Sequence, residues 1–493
     1  SLPPYNYFII NFITFSLFFI FIFNKKKKLS INKSFFKYGW YFGFGYFLFS
    51  LYWIVISLTF DQSFKFLIPV AIILLPAGLA IFYGLLTYLF SIFYSKNIIV
   101  SFLIFSLLFG IIELIRSFIF TGFPWNLISF SFSENTRFIQ ILSILGTYSF
   151  NLICISLFTC PSLIILSNSR KKFFLIFLFI LIAISFFIFG TIKKDQFNNL
   201  TNKKHDYVIR VVSPNIGLDR FYSGREEIEI INELILLSNP QPNIPTVFVW
   251  PEGIITDTNL RDIKIYENLF SKKFTKNHII IMGINNLEIK DDKELHFNSL
   301  AIFDNDLNLL NHYNKVDLVP FGEFLPFENF LSAFGLKTIT NEYKSFTKGK
   351  DRRLVNLKHN KIDFVFLPLI CYELIYSGRL IDNHNFDYII NISEDGWFGD
   401  SIGPKQHFAH GIFRSIESGK YIIRSANNGI SAIINPIGEL DKKIEFGNSG
   451  YIDFIQSKST KATLFSKYGN KIFILLILLY IFLIFSFNRI KNE

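Results

Sequence analysis

The sequence is poor in charge and in cysteine. Charged residues make up only 18% of its 493 positions, whereas hydrophobic residues make up 51% and phenylalanine alone occurs 63 times. This balance excludes an ordinary soluble chain and requires a lipid phase. Of the three cysteines, Cys154 and Cys160 lie inside an apolar run, which leaves Cys371 alone in the polar part and excludes a disulfide framework there.

Motifs for cofactors, metals and nucleic acids are also missing. The sequence has no glycine-rich phosphate loop and no dinucleotide fingerprint, so we expect no cofactor. His407 and His410 lie three residues apart on a predicted helix, but no zinc-like spacing of other ligands accompanies them, so we expect no metal. The net charge of +11 resides in short clusters at the ends of apolar runs, which indicates membrane topology rather than nucleic-acid binding.

Apolar runs predict seven membrane spans, each long enough to cross about 30 Å of hydrocarbon. The spans are predicted at residues 7–23, 38–60, 66–94, 98–120, 147–167, 172–190 and 472–487. We therefore expect a transmembrane helical domain over residues 1–190, a soluble domain over 200–460, and a last span with a cytoplasmic tail over 470–493.

Basic residues predict the orientation of these spans. If the lysines at 25–28 are cytoplasmic, the later cytoplasmic ends fall at 95–97, 169–172 and 489–491, and each carries lysine or arginine. The soluble domain then lies outside the cytoplasm. Because the chain begins at Ser1 with an odd number of spans, we expect one further span before it, with a cleaved signal peptide as the alternative.

One ion pair is predicted inside the membrane. Glu113 and Arg116 lie three residues apart on one face of the fourth span, so they can neutralise one another. Either the pair is purely structural, or it holds the following loop, 121–126, at the membrane surface. In the second case Trp125 and the phenylalanines after it would lie among lipid headgroups.

The soluble part alternates short β-branched runs with helical patterns, which predicts an α/β sandwich. Strands are predicted at residues 207–212, 247–250, 279–283, 300–303, 363–369, 388–392, 421–424 and 430–434. Helices are predicted at 224–238, 260–275, 374–382 and 405–418.

Reactive side chains follow three of the apolar segments. Glu252 comes just after a strand, where a carboxylate can serve as a general base. Lys315 places an ammonium on a loop, and Glu323 adds a second carboxylate eight residues further on. Cys371 follows the strand at 363–369, so we expect its thiol on a strand-to-helix turn, where backbone amides can stabilise a thiolate and an oxyanion. Each signal alone is more often packing, but their joint order favours catalysis.

These residues resemble the nitrilase superfamily of carbon-nitrogen hydrolases, whose domain is a four-layered α-β-β-α sandwich. Longer strings, spread over nearly the whole chain, are similar to the apolipoprotein N-acyltransferase family. The strings are LVPFGE (318–323), ICYE (370–373), WFGDSIGP (397–404), QHF (406–408), Arg424, NNG (427–429) and, in the membrane part, GFPW (122–125). The resemblance implies a nitrilase-like sandwich inserted between transmembrane helices.

The resemblance also implies a ping-pong acyl transfer. Glu252 would take the proton of Cys371, the thiolate would attack an acyl ester of a phospholipid such as phosphatidylethanolamine, and Lys315 would hold the oxyanion. The terminal amine of a diacylglyceryl-cysteine lipoprotein would then take the acyl group from the thioester. The implied partners are membrane lipids, a phospholipid donor and a diacylated lipoprotein. The implied setting is a monomer in the bacterial inner membrane, with its catalytic domain on the periplasmic side.

Further positions match the family's motifs. Glu323 and Glu373 either support the Glu-Lys-Cys triad or orient Lys315 and its loop, and Tyr372 follows the nucleophile. Trp397 matches a mobile loop that either gates lipid access or anchors the domain at the membrane interface. The chain departs from the family at Glu394, where asparagine is usual, and at Phe221, where tryptophan is usual. These departures concern substrate contacts and not the triad.

Two other classes of function compete with this interpretation. A membrane-tethered amidase of the nitrilase type would release the acyl group to water, and the triad alone does not exclude it because it sets up the thioester and not the acceptor. The seven spans and the GFPW loop argue against it. A transporter should show paired broken helices, and a catalytically dead scaffold should have lost a triad residue; neither is seen in the sequence.

Overall fold

The computed structural model describes residues 1–28, 33–167, 170–221, 226–328, 345–380 and 385–489. Within these residues, seven helical segments are long and apolar enough to cross a membrane, which is the predicted number. The helices before the soluble part are α1 (Ile9–Lys28), α2 (Phe35–Leu51), α3 (Ile68–Phe93), α4 (Ile98–Arg116), α5 (Leu142–Thr159), α6 (Ser162–Leu166) and α7 (Lys171–Asn198). Short 3-10 turns extend three of these spans, to Phe35–Thr59, Gln62–Phe93 and Phe138–Thr159.

The fifth span is shifted from its predicted position. We expected residues 147–167, but the span is Phe138–Thr159, and the apolar residues after Pro161 form the separate short helix α6. Gly146 kinks the span with a φ of +71°, and a Cβ there would meet the ring of Phe465 at 1.9 Å. The predicted bounds of this span were wrong because the apolar run in the sequence continues across a break in the helix.

The soluble part is built from two mixed sheets. Its strands are β1 (Asn202–Ser213), β2 (Thr246–Val249), β3 (Ile255–Asn259), β4 (His278–Lys290), β5 (Lys293–Phe303), β6 (Leu309–Asn314), β7 (Val355–His359), β8 (Ile362–Ile370), β9 (Tyr388–Glu394), β10 (Tyr421–Asn427), β11 (Ser431–Ile434), β12 (Leu440–Ile444) and β13 (Gly450–Lys458). The described helices from here to the end of the chain are α8 (Glu227–Ser238), α9 (Glu267–Ser271), α10 (Gly403–Ser418), α11 (Leu464–Tyr468) and α12 (Lys471–Arg489). Every predicted strand is present, and the predicted basic tail at 490–491 lies outside the described residues.

The two sheets pack face to face between helices. The first has the order β13-β1-β2-β4-β5-β6, with β3 beside β4, and the second has the order β12-β11-β10-β9-β8-β7. The central strands β1, β2 and β4 are parallel, as are β8, β9 and β10. Apolar side chains of both sheets interleave in one core, while α8 covers the outer face of the first sheet and α10 that of the second. The predicted α-β-β-α sandwich is confirmed.

The helix predicted at 374–382 is wrong over its described part. A short 3-10 helix, Cys371–Ile375, follows β8 instead, and the chain is extended at Tyr376. Gly378 has a φ of +65°, which a helix does not allow. Residues 381–382 lie outside the described part. A single turn is favoured here because the Glu373 carboxylate accepts the backbone N–H of Ile370 at 2.8 Å and closes the turn.

The sandwich and the membrane helices meet across a buried polar clamp. Oε1 of Glu417, near the end of α10, accepts the backbone N–H of Thr147 in α5 at 2.7 Å and its hydroxyl at 2.6 Å. The same oxygen accepts the hydroxyl of Ser377 at 2.6 Å, and Oε2 pairs with Arg414 at 2.8 Å. Glu417 thus joins α10, the segment after Cys371 and the membrane part.

Candidate active site

The three predicted reactive residues follow strands that end close together. Glu252 lies just past β2, Lys315 follows β6 directly, and Cys371 follows β8 directly. All three are buried. The first two come from one sheet and the third comes from the other, so the cluster forms where the two sheets face each other at one end of the sandwich.

The Lys315 ammonium lies between two carboxylates. Its Nζ donates to Oε1 of Glu252 and to Oε1 of Glu323, both at 2.9 Å. Asn298 donates to the same two oxygens at 2.7 Å, and the backbone N–H of Glu394 donates to Oε2 of Glu252 at 3.0 Å. Glu252 is therefore buried and held by three donors.

Electrostatics keep Lys315 charged. Burial alone would lower the pKa of Lys315, but the Glu252 and Glu323 carboxylates outweigh it and raise that pKa well above its usual value. Burial raises the pKa of Glu323, and the Lys315 ammonium offsets only part of the rise. The site therefore holds a fixed positive charge that can attract a developing oxyanion.

Cys371 lies on a strained turn and carries a protonated thiol at neutral pH. Its φ is +46°, in the left-handed region that non-glycine residues rarely adopt. Burial and then the Glu252 carboxylate raise the pKa of the thiol well above its usual value, and Lys315 lowers it only in part. A base must therefore remove the proton when the sulfur reacts.

Glu373 ties the turn of Cys371 to the loop of Lys315. Its Oε1 accepts the hydroxyl of Tyr313 at 2.7 Å and the backbone N–H groups of Val316 and Asp317 at 2.8 and 3.2 Å. These contacts favour orientation of the Lys315 loop as the role of Glu373. Glu323 also binds the backbone, through the N–H of Val319 at 2.8 Å, while it contacts Lys315 directly.

The loop at 121–126 packs against the turn of Cys371, which contradicts the alternative that placed it among lipid headgroups. Trp125 is only 4% exposed, and its indole donates to Oε1 of Gln406 in α10 at 2.8 Å. The hydroxyl of Tyr372 donates to the carbonyl of Gly122 at 3.0 Å. The phenylalanines that follow the loop, Phe130 and Phe132, are buried too. The loop faces inward because the sandwich covers it.

The predicted ion pair holds this loop. Arg116 pairs with Glu113 and also donates to the carbonyl of Phe123, while Glu113 accepts the hydroxyl of Tyr83 at 2.6 Å. The sequence left open whether the pair is purely structural or holds the loop. The contacts support a pair that holds the loop. The accompanying idea, that the loop lies among lipid headgroups, is wrong.

Trp397 bridges the sandwich and the membrane part. Its half-buried ring packs against Phe221 with the centroids 5.3 Å apart, and against Phe60 with the centroids 6.0 Å apart. The two departures from the family pattern also have partners. Phe221 fills the space beside Trp397, and Glu394 forms a buried ion pair with Arg220 at 2.5 Å.

Several residues near the cluster were missed or misjudged from the sequence. Asn298 is a polar residue that points inward from β5, and an inward polar residue in an apolar strand was the signal available for it. Asp395, Ser393 and His407 form a hydrogen-bonded group next to Cys371, but His407 had been weighed only as a metal ligand.

This group has the spacing of a metal site but not its chemistry. Ligand atoms of Cys371, Asp395 and His407 lie within 4.8 Å of one another. The carboxylate of Asp395 is already used, because Oδ2 accepts from Arg424 at 2.7 Å and Oδ1 from Ser393 at 2.7 Å. A guanidinium beside the cluster and a protonated thiol within it both oppose a divalent cation.

Comparisons with known proteins cover both parts of the chain. The family model described as Apolipoprotein N-acyltransferase N-terminal domain matches residues 1–160, and the model described as Carbon-nitrogen hydrolase matches residues 247–452. An apolipoprotein N-acyltransferase from Rickettsia prowazekii is 35% identical over 93% of this chain and 90% of its own length. Its counterpart from Brucella melitensis is 31% identical over 85% of this chain and 79% of its own length.

A solved structure is also similar to the sandwich. It is a CN-hydrolase superfamily protein from Xanthomonas campestris with an arsenic adduct in its active site, 16% identical, with 51% of this chain and 91% of that chain covered and a TM-score of 0.34. The sandwich, the carbon-nitrogen hydrolase match and the apolar helices define the chain as a multi-pass membrane protein with a nitrilase-type domain. The chain belongs to the apolipoprotein N-acyltransferase family.

Proposed function

We propose that this chain transfers a fatty acyl group from a phospholipid, through a thioester on Cys371, to the terminal amine of a diacylglyceryl-cysteine lipoprotein. The supporting observation is the place of the nucleophile. Cys371 begins the turn whose next residue, Tyr372, bonds the membrane loop at Gly122, so the thiol lies at the junction of the sandwich with the membrane helices. An amidase acting on small soluble amides gains nothing from that position.

In the first half-reaction Glu252 takes the proton from Cys371 and the thiolate attacks the ester carbonyl of the phospholipid, such as phosphatidylethanolamine. The carbonyl oxygen becomes an oxyanion, which the Lys315 ammonium and a backbone amide of the Cys371 turn stabilise. When the tetrahedral intermediate collapses, the ester C–O bond breaks. The lysophospholipid alkoxide takes the proton from Glu252 and leaves as an alcohol.

In the second half-reaction the lipoprotein amine attacks the thioester carbonyl. Glu252 accepts a proton from the attacking nitrogen, the C–S bond breaks, and the proton returns to the departing thiolate of Cys371. The product is an amide, which is more stable than the thioester. The same carboxylate thus acts in both halves, and the thiol ends as it began.

A membrane setting suits both substrates because both carry acyl chains. Each buried CH₂ contributes about 0.8 kcal/mol to membrane binding, so a soluble enzyme would have to extract each chain at a large free-energy cost. We assign Trp397, at the edge of the site, to the gating of lipid access. Glu323 and Glu373 would orient Lys315 and its loop, Tyr372 would fasten the nucleophile turn, and Trp125 would support it from below.

The same proposal places the catalytic domain on the periplasmic side of the bacterial inner membrane. The helical domain over residues 1–190 and the last span over 470–493 would then enclose the catalytic domain over 200–460. The first strand of the sandwich begins at Asn202 and its last strand ends at Lys458, which supports that division. The positively charged ends of the spans support the orientation.

The test is incubation of the purified chain with vesicles of labelled phosphatidylethanolamine and then with a diacylated lipopeptide. We expect a hydroxylamine-labile acyl group on Cys371 that disappears as labelled lipopeptide forms. Cys371→Ala and Cys371→Ser should form no thioester, whereas Cys160→Ser, a matched change of a buried cysteine in the membrane part, should behave as the parent. Free fatty acid without labelled lipopeptide would instead indicate the amidase. An active Cys371→Ala variant would rule out the proposal.

A further inference from the structure

The strained turn at Cys371 is held from both sides. A non-glycine residue in the left-handed region persists only where its surroundings dictate it. Before the turn, Glu373 accepts the N–H of Ile370. After it, Nε2 of His407 lies 3.2 Å from the carbonyl oxygen of Cys371. With its hydrogen on Nε2, His407 donates to this carbonyl.

His407 has little freedom to move. Its imidazole is fully buried, and Nδ1 lies 2.8 Å from Oδ1 of Asp395, a carboxylate that Ser393 and Arg424 also bind. The ring stacks on Trp125 with the centroids 5.4 Å apart. Any rotation of the ring would break the contact with Asp395 and the stacking together. The donor that meets the Cys371 carbonyl is therefore fixed in place.

The neighbouring residue in α10 connects this donor to the membrane part. Oε1 of Gln406 accepts the indole N–H of Trp53 at 3.1 Å and that of Trp125 at 2.8 Å. Trp53 lies in the second membrane-spanning segment, Phe35–Thr59, and Trp125 lies in the loop after α4. Two donors on one amide oxygen set the position of α10 against the membrane domain.

We propose that His407 is a positioning residue for Cys371, and that the membrane domain sets its place through Gln406. The inference rests on the proposed function, because the orientation of the thiol matters only if Cys371 is the nucleophile. The hydrogen bond to the Cys371 carbonyl fixes the turn, and with it the direction of the thiol relative to Glu252 and Lys315. A displacement of about 1 Å at a reacting group can cost about 100-fold in rate.

The first test compares two substitutions of His407 in the full-length chain. His407→Phe keeps a ring but loses the donor, whereas the amide nitrogen of His407→Gln can still reach the carbonyl. We expect thioester formation to be about 100-fold slower in His407→Phe, with KM for phosphatidylethanolamine vesicles and melting temperature unchanged. His407→Gln should recover most of the rate. Lys405→Ala, an exposed change on the same helix, should match the parent.

The second test asks whether Gln406 acts through the membrane loop. Gln406→Leu removes the shared acceptor of the Trp53 and Trp125 indoles, so thioester formation should slow about 10-fold. Trp125→Phe removes the matching donor while it retains a ring. If the two residues act as one unit, the double variant should be no slower than the slower single variant, whereas independent effects would multiply.

The outcomes separate the inference from the function on which it rests. A parent chain that forms no thioester on Cys371 would overturn the proposed function, and the inference with it. If the parent forms the thioester and His407→Phe does so equally fast, only the inference is overturned. The same holds if His407→Phe and His407→Gln are equally slow, or if the loss of rate follows a loss of folded protein.

Discussion

At the scale of single residues, opposite charges act on one sulfur. Burial and then the Glu252 carboxylate raise the pKa of Cys371, and the Lys315 ammonium lowers it in part. The resting thiol is therefore protected from attack on stray electrophiles, and its reactivity depends on a base that is already in place. This explains why the site combines a buried thiol with a carboxylate, where many reactive cysteines rely on a lowered pKa.

The pH dependence of alkylation at Cys371 should reveal both charges. The rate with iodoacetamide is expected to be low at neutral pH and to rise in the alkaline range. Glu252→Gln removes the charge that raises the pKa, so its profile should move to lower pH even though acyl transfer is lost. Lys315→Met removes the charge that lowers the pKa, so its profile should move to higher pH.

Peptide mapping keeps this measurement specific, because Cys154 and Cys160 are also present. Glu445→Gln, an exposed change far along the chain from the cluster, is the matched control and should leave the profile where it is. A shift of both active-site variants in the same direction would show that the two charges do not act on the sulfur as described.

Glu252 and Cys371 could be predicted from the sequence because each follows a recognisable apolar strand. Lys315 was predicted on a loop, from its place in the order Glu, Lys, Cys. Asn298 and His407 could not be assigned, because their roles depend on which distant strands and helices lie beside them. Asn298 reaches Glu252 and Lys315 because the sheet order β2-β4-β5-β6 places β5 two strands from β2 and beside β6. Neither sequence distance nor periodicity reveals that order.

At the scale of secondary-structure elements, central strands were predictable and edge strands were not. The parallel strands β9 and β10 are buried along their whole length and β8 is buried from Phe366 onward, so each contains a short apolar run that the sequence reveals. The edge strands β7 and β12 are short and rich in polar residues, and pairing with a neighbour defines them rather than composition. The failed helix at 374–382 has a similar cause, because side-chain contacts of Glu373 decide the turn.

The Glu417 clamp should contribute strongly to stability. Glu417→Ala would leave Arg414 buried without its ion-pair partner and would remove the acceptor of Thr147 and Ser377. Breaking a buried pair in this way costs about 3–5 kcal/mol. We expect a clearly lower melting temperature in detergent, measured by tryptophan fluorescence during heating.

The control for the clamp is an ion pair on the surface. Lys443 and Glu445 are both largely exposed, and such pairs contribute about 0–1 kcal/mol. Glu445→Ala should therefore melt close to the parent. Equal melting temperatures for Glu417→Ala and Glu445→Ala would mean that the clamp does not hold the two parts together.

At the scale of the whole molecule, basic residues at the ends of the helices support the proposed orientation in the membrane. α1 ends in four consecutive lysines, Lys96 lies between α3 and α4, and α7 begins with two lysines. These ends fall on one side if the spans alternate in direction. The sandwich, which follows α7, then lies on the other side.

Cysteine labelling should report this orientation. In intact cells whose outer membrane is permeabilised, a membrane-impermeant maleimide should label Asn448→Cys, an exposed position of the sandwich. It should label Lys96→Cys, exposed between α3 and α4, only after the inner membrane is disrupted. The parent chain is the control, since its own cysteines are buried. Labelling of Lys96→Cys in intact cells would reverse the assigned orientation.

Tyr376, Phe413 and Ile416 of the sandwich belong to the same apolar core as the membrane helices. The halves are consequently not interchangeable modules. A sandwich separated from its helices would expose this apolar surface to water. A chimera of two relatives would need complementary side chains on both sides of the interface in order to be active. A small molecule that binds at this interface and separates the two parts is therefore expected to inhibit acyl transfer without contacting Cys371.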